Sequence, residues 1–184
     1  MKKDYAYIAL LDDETTKIVL SVQNHLIKEY GKSSPGWPPH ITVTRGNLLT
    51  QEELEQVKIK LSSLKNIQPV TVTIGGFFFK NKSEDIYSLR IIIQPNTILQ
   101  NLSHNVTDIT SCFETIAPVP EKQDYWITVG EKISGAEIES LQKYLNTVTI
   151  PSEIIISSCS IFYSTFNEDA LNKAYEIERF NFEI

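Results

Sequence analysis

The triplet Ile-Thr-Val occurs twice in this chain, as Ile41-Thr42-Val43 and Ile127-Thr128-Val129, and each copy stands in the same succession of local signals. Downstream of the first comes Thr50-Gln51-Glu52-Glu53, and downstream of the second Ser134-Gly135-Ala136-Glu137. Both fit a capping box, in which a hydroxyl and a Glu three residues on satisfy the free N–H groups that open a helix. An amphipathic run follows each box, with Leu54, Val57, Ile59 and Leu61 in one and Ile138, Leu141 and Leu145 in the other. Each run then reaches a proline, Pro69 or Pro151, and a β-rich stretch. That stretch is Val70 to Phe77 in the first half, and Ile154 to Ile156 continuing through Ile161-Phe162-Tyr163 in the second.

Upstream the echo continues. Tyr5 to Leu11 reads as a strand before a helix carrying Ile18, Val19, Val22 and Leu26. Tyr87 to Ile93 reads as a strand before Pro95 and a helix carrying Ile98, Leu99, Leu102 and Val106. The unit is β-α-β-α-β, used twice within one 184-residue domain (1–184), with halves at about 5–80 and 86–165 and a tail at 166–184. Such duplication predicts two similar lobes across a pseudo-twofold axis, with a cleft between the repeated strands.

On a strand, alternate side chains share a face. His40 and Thr42 therefore point one way, with Ile41 and Val43 behind; Trp126 and Thr128 point one way, with Ile127 and Val129 behind. Each motif has an apolar side to bury and a chemically capable side to expose. Tyr125 belongs to the buried side of its strand.

Hydrophobic content of 41% and charged content of 22% are ordinary for a globular chain. No stretch is apolar for long enough to span a bilayer, so no membrane partner is expected, and Met1-Lys2-Lys3-Asp4 enters a strand, not a signal-peptide core. Cys112 and Cys159 lack CxxC spacing, and reduced thiols in a cytoplasmic setting are expected. The formal charge of −6 argues against coating nucleic acid by bulk attraction. It leaves room for a small site with local cations, for which Arg45, Arg90 and Lys132 are candidates against the plainer reading of surface charge. Gly31 to Pro39 is the most loop-like run and ends at His40, which suits a loop beside a site; the plainer reading is a helix-to-strand turn whose Trp37 covers core.

Threonines beside a strand histidine suggest phosphate handling, because a hydroxyl donates to an anionic oxygen while imidazole exchanges a proton near neutral pH. No metal and no cofactor are implied. His25, His40 and His104 lie on different expected elements, without HExxH or zinc-knuckle spacing, and neither a GxSxG elbow nor a Walker loop occurs. Gly75-Gly76 reads as a bulge or turn.

With these residues in place, the chain resembles the 2H phosphoesterase superfamily, which includes the 2′-5′ RNA ligase-like proteins and RNA cyclic phosphodiesterases. Pro39-His40-Ile41-Thr42-Val43 resembles the first His-x-Thr motif and Ile127-Thr128-Val129 part of the second, while Ser160 to Ser164 and the tail to Phe182 resemble the last strand and its return. The resemblance implies an α+β, bilobal fold of two pseudo-symmetric β-α-β-α-β lobes with antiparallel sheets around a central cleft. It also implies metal-independent handling of 2′,3′-cyclic or 2′-5′ phosphodiesters, with a nucleotide or RNA terminus as ligand. His40 takes the acid–base role and Thr42 and Thr128 the phosphate-binding roles. The second motif departs from the pattern, since Trp126 stands where a histidine is expected and an indole N–H only donates. His25 and His104 fall on helices expected at the outer face. Three readings follow: an enzyme of reduced activity, a non-catalytic binding module with Trp126 as a base-stacking platform, or a cleft filled by Trp126.

Overall fold

The structure is a computed structural model and describes residues 2–32, 36–115, 124–167 and 170–183. The expected elements form in the expected order. The first half gives β1 (Lys3–Leu10), α1 (Asp13–Tyr30), β2 (His40–Leu49), α2 (Gln51–Leu61), and β3 (Val70–Ser83). The second gives β4 (Ile86–Ile93), α3 (Thr97–Thr110), β5 (Tyr125–Ser134), α4 (Ile138–Leu145), β6 (Glu153–Ile156) and β7 (Ser158–Asn167), and the tail returns as β8 (Ala170–Asn181). Both capping boxes are made. Thr50 and Glu53 open α2 directly, whereas Ser134 and Glu137 close a short 3-10 turn that leads into α4. Leu54, Val57 and Leu61 form the buried stripe of α2, but Ile59 lies off it and is 73% exposed, because a spacing of five from Leu54 carries it round the helix.

All eight strands join one antiparallel sheet in the order β6-β3-β4-β5-β2-β1-β7-β8. The pseudo-twofold axis passes between β2 and β5, where Ile41 pairs with Ile127, the middle residues of the two repeated motifs. A second pair on the axis is Val72 with Ile154, each three residues past its proline. The lobes draw on both halves of the sequence. From Ile74 onward β3 pairs with β4 of the second half, while β7 pairs with β1 of the first. The helices cross over as well. Gly130 of β5 lies so close beneath α1 that a Cβ there would run into Leu26, and Ser103 of α3 donates to the Val43 carbonyl of β2 at 2.6 Å.

The helices cover the face carrying Ile41, Val43, Ile127 and Val129, all fully buried in the core. The opposite face carries His40, Thr42 and Thr128. Gly76, at φ 105°, sits at a register break in β3, the bulge expected of the Gly-Gly pair. Among the described residues no helix is long and apolar enough to cross a membrane.

Candidate functional site

The single recorded β2–β5 pair fixes the middle of the cleft. Extending that antiparallel register by one residue each way sets His40 beside Thr128 and Thr42 beside Trp126. His40, Thr42 and Thr128 line one cavity of about 350 Å³, with Ala6 and Ile8 of β1 and Trp37 of the preceding loop. Trp37 therefore belongs to the cleft, its ring 5.5 Å from the His40 imidazole and 5.9 Å from Phe162. Ser33 to Pro35 of that loop lie outside the described residues.

His40 Nδ1 lies 2.7 Å from the Pro38 carbonyl. A carbonyl only accepts, so Nδ1 carries the proton and neutral imidazole presents the Nε2 lone pair. Burial holds the His40 pKa below its ordinary 6.5, with the Pro38 contact opposing. At neutral pH the ring is an uncharged proton acceptor.

Arg90 is the site's least expected environment. It is 7% exposed, pairs in register with Thr128 on one side and Phe78 on the other, and its Nε donates to Ser88 Oγ at 3.0 Å. Its guanidinium carbon sits 4.1 Å from the centre of the Trp126 ring, a cation–π contact worth roughly 0.5–2 kcal/mol. Among the described residues no carboxylate forms an ion pair with it. Desolvation lowers its pKa from the usual guanidinium value, opposed by the negative charge of Glu131.

Trp126, 36% exposed, does not line the His40 cavity. It borders a neighbouring one of about 730 Å³, together with Arg90, Phe78 and Lys80. Tyr125 points the other way, buried, with its hydroxyl donating to the Leu99 carbonyl at 3.4 Å. Lys132 is exposed, at φ 56°, and lines neither cavity. The backbone of Arg45 lies in β2; its side chain is outside the described residues. His104 is exposed on α3, and His25 on α1 stacks on Tyr144 with ring centres 3.5 Å apart, so both stand apart from the cleft. No group of three His, Cys, Asp or Glu side chains among the described residues stands together as a metal site.

Glu131 is the cleft residue that strand alternation conceals. Strict alternation from Thr128 would turn Glu131 toward the core. The register breaks between Thr128 and Gly130, however, so Val129 and Gly130 both face the core and Glu131 turns up to line the His40 cavity. β2 breaks at the corresponding places, after Thr42 and after Thr44, which makes Arg45 the counterpart of Glu131. The duplication thus preserves both bulges but reverses a charge.

Comparison with solved structures finds the same architecture along nearly the whole chain. Escherichia coli LigT in its apo form superimposes with a TM-score of 0.67 at 13% identity, covering 98% of each chain. E. coli LigT complexed with 3′-AMP gives 0.66 at 13% identity over 99% of each chain. The protein TT0787 of Thermus thermophilus gives 0.66 at 12% identity over 97% of each. No family model matches the sequence, and no curated protein matches it. At these identities the likeness is one of architecture, and it agrees with the strand order and the cleft: the chain has a LigT-like fold.

Proposed function

We propose that the cleft binds the phosphate of a nucleotide or RNA end and that it hydrolyses 2′,3′-cyclic or 2′-5′ phosphodiesters only slowly. The observation that carries this reading is Arg90, a buried guanidinium beside Thr128 with no carboxylate paired to it among the described residues. A desolvated charge is costly unless an opposite charge meets it, and a phosphate oxygen pair matches the guanidinium fork. The Thr42 and Thr128 hydroxyls serve as further donors. E. coli LigT has been crystallised with 3′-AMP and with ATP, which makes nucleotides the natural first ligands to try.

In hydrolysis, His40 Nε2 takes a proton from water, the water oxygen attacks phosphorus, and the bond to the departing ribose oxygen breaks. That oxygen needs a proton in turn. Trp126 holds the position from which a second imidazole would give it, and an indole exchanges no proton near neutral pH. Solvent must supply it, and loss of a positioned acid or base typically costs about 10²–10⁴-fold in rate. The same substitution favours retention over turnover, since aromatic–base stacking is worth roughly 1–3 kcal/mol.

Two results test the binding site. Calorimetry with adenosine 2′,3′-cyclic phosphate should show Thr42→Val and Thr128→Val each weakening affinity roughly tenfold or more, the worth of one hydrogen bond to a charged group. Unchanged affinity in both variants rules out the assigned site. Glu131→Gln should instead tighten the same ligand by roughly fivefold at low salt, because it removes a carboxylate facing the bound anion, and the gain should shrink as salt is added. A weaker complex in that variant would mean that Glu131 accepts a hydrogen bond from the ligand.

A further inference from the structure

A carboxylate is the group least suited to a cavity that meets an anion, yet Glu131 lines the His40 cavity beside Thr42 and Thr128. It faces there because the register break in β5 turns it away from the core. Among the described residues no cation forms an ion pair with it. The rest of the lining supplies apolar and aromatic surface. Ala6 and Ile8 come from β1, and the half-buried Trp37 ring is backed by Phe162 at 5.9 Å. At about 350 Å³ the cavity falls at the small end of the range for ligand pockets. One small cavity thus holds hydroxyl donors, an indole ring and a group that only accepts hydrogen bonds.

We propose that Glu131 selects guanine as the base of the bound nucleotide. This rests on the phosphate-binding reading of the cleft and adds the identity of the base to it. With the phosphate on the Thr42 and Thr128 hydroxyls and the base against Trp37, the Glu131 carboxylate meets the edge of the base. An ionised carboxylate has two acceptor oxygens and no donor, so it fits an edge with two N–H groups side by side. Guanine presents that pair at N1 and its 2-amino group. Adenine sets the N1 lone pair beside its amino group, and cytosine sets N3 there. Uracil flanks its single N–H with carbonyls. Each of these three turns an acceptor toward the carboxylate. A 2′,3′-cyclic phosphate also leaves the ribose only its 5′ hydroxyl to donate, so the sugar competes little for Glu131. The carboxylate repels the phosphate of every nucleotide, and only guanine recovers the loss. Selection then works by penalising the wrong base.

Calorimetry on the intact chain with the 2′,3′-cyclic phosphates of guanosine, adenosine and inosine tests the assignment, since all three carry a single negative charge. The guanosine ligand is expected to bind about tenfold tighter than the adenosine one, a gain held down by the exposure of Glu131 to solvent. The inosine ligand keeps N1–H but lacks the 2-amino group, and should lose most of that advantage. Glu131→Gln should weaken the guanosine ligand while tightening the adenosine one, because an amide offers one acceptor and one donor. The exposed position makes a folding defect in that variant no obstacle, and the inosine comparison needs no variant at all. Equal wild-type affinity for the guanosine and adenosine ligands overturns the proposal and leaves the phosphate site standing. A guanosine preference that persists in Glu131→Gln, or that inosine retains in full, overturns it too, since the carboxylate would not be reading the donor pair. Binding of none of the three removes the phosphate reading and this proposal with it.

Discussion

Replacing Arg90 with methionine is expected to abolish nucleotide binding while leaving the fold at least as stable. The guanidinium is almost wholly buried, yet it holds only Ser88 Oγ and the Trp126 ring within the described protein. Two charge-assisted bonds to a phosphate at about 1.5–3 kcal/mol each make the loss of affinity roughly 10²-fold or greater. The folded state feels the opposite pressure. A buried charge without an ion-pair partner is a cost, and exchanging buried ionic groups for apolar side chains of similar volume is often neutral or stabilising by about 1–4 kcal/mol. Against that stands the lost cation–π contact of roughly 0.5–2 kcal/mol. Thermal unfolding should therefore show a midpoint equal to or above wild type, beside calorimetric traces with no binding. Arg90→Lys keeps the charge but not the planar fork and should fall between the two. A variant that unfolds early and still binds its ligand would make Arg90 a structural residue.

Placing an imidazole at position 126 is expected to raise hydrolysis of a 2′,3′-cyclic nucleotide toward 10²-fold, the lower end of what a positioned acid or base contributes. Position 126 shares its face with Thr128 and lies beside Thr42 in the β2–β5 register, so Trp126→His places a proton donor on the side of the phosphate away from His40. The pH profile should distinguish the two rings. His40, with its pKa held below 6.5 by burial, remains a base at neutral pH, and the acid limb of the profile lies below that value. The new imidazole must be protonated to give its proton, and the nearby Arg90 charge disfavours that form, so the rate should fall as pH rises through its lowered pKa. Single-turnover rates for wild type, Trp126→His and Trp126→His/His40→Ala decide the matter. A gain that survives loss of His40 would refute the paired mechanism, and no gain at all would favour a site built for retention.

Local rules carried much of this structure in the sequence. The alternation of His40-Ile41-Thr42-Val43, the two capping boxes and the doubled order of elements are written within a few residues of one another, where backbone geometry has no alternative partner to choose. What stayed hidden depends on distant pairing. The turn at Glu84-Asp85 folds β3 back on β4 locally, but nothing near that hairpin says that β5 will lie along its other edge, and so nothing brings Phe78 and Lys80 to the wall of a cavity shared with Trp126. Glu131 was hidden by a smaller effect: one extra residue in the ladder inverts the faces as far as the next break, which returns Ile133 to the core. The clue available was the unlike pair at matching places in the repeat, Arg45 in one copy and Glu131 in the other.

The crossing of β3 and β7 between lobes bears on how such a cleft could come to be asymmetric. A polypeptide of one half alone, β1 to β3, would have no third strand beside its own first one and would complete its sheet only by trading that strand with a second copy of itself. The cleft on the axis would then be an isologous contact, in which each substitution appears twice. A tryptophan in place of one histidine would replace both, and a glutamate in place of one arginine would do likewise. Joining the two copies into one chain releases that constraint. Only then can His40 have a tryptophan as its counterpart in the repeat and Arg45 a glutamate, so the lopsided chemistry of this site is a property that covalent fusion makes available to an otherwise symmetric frame.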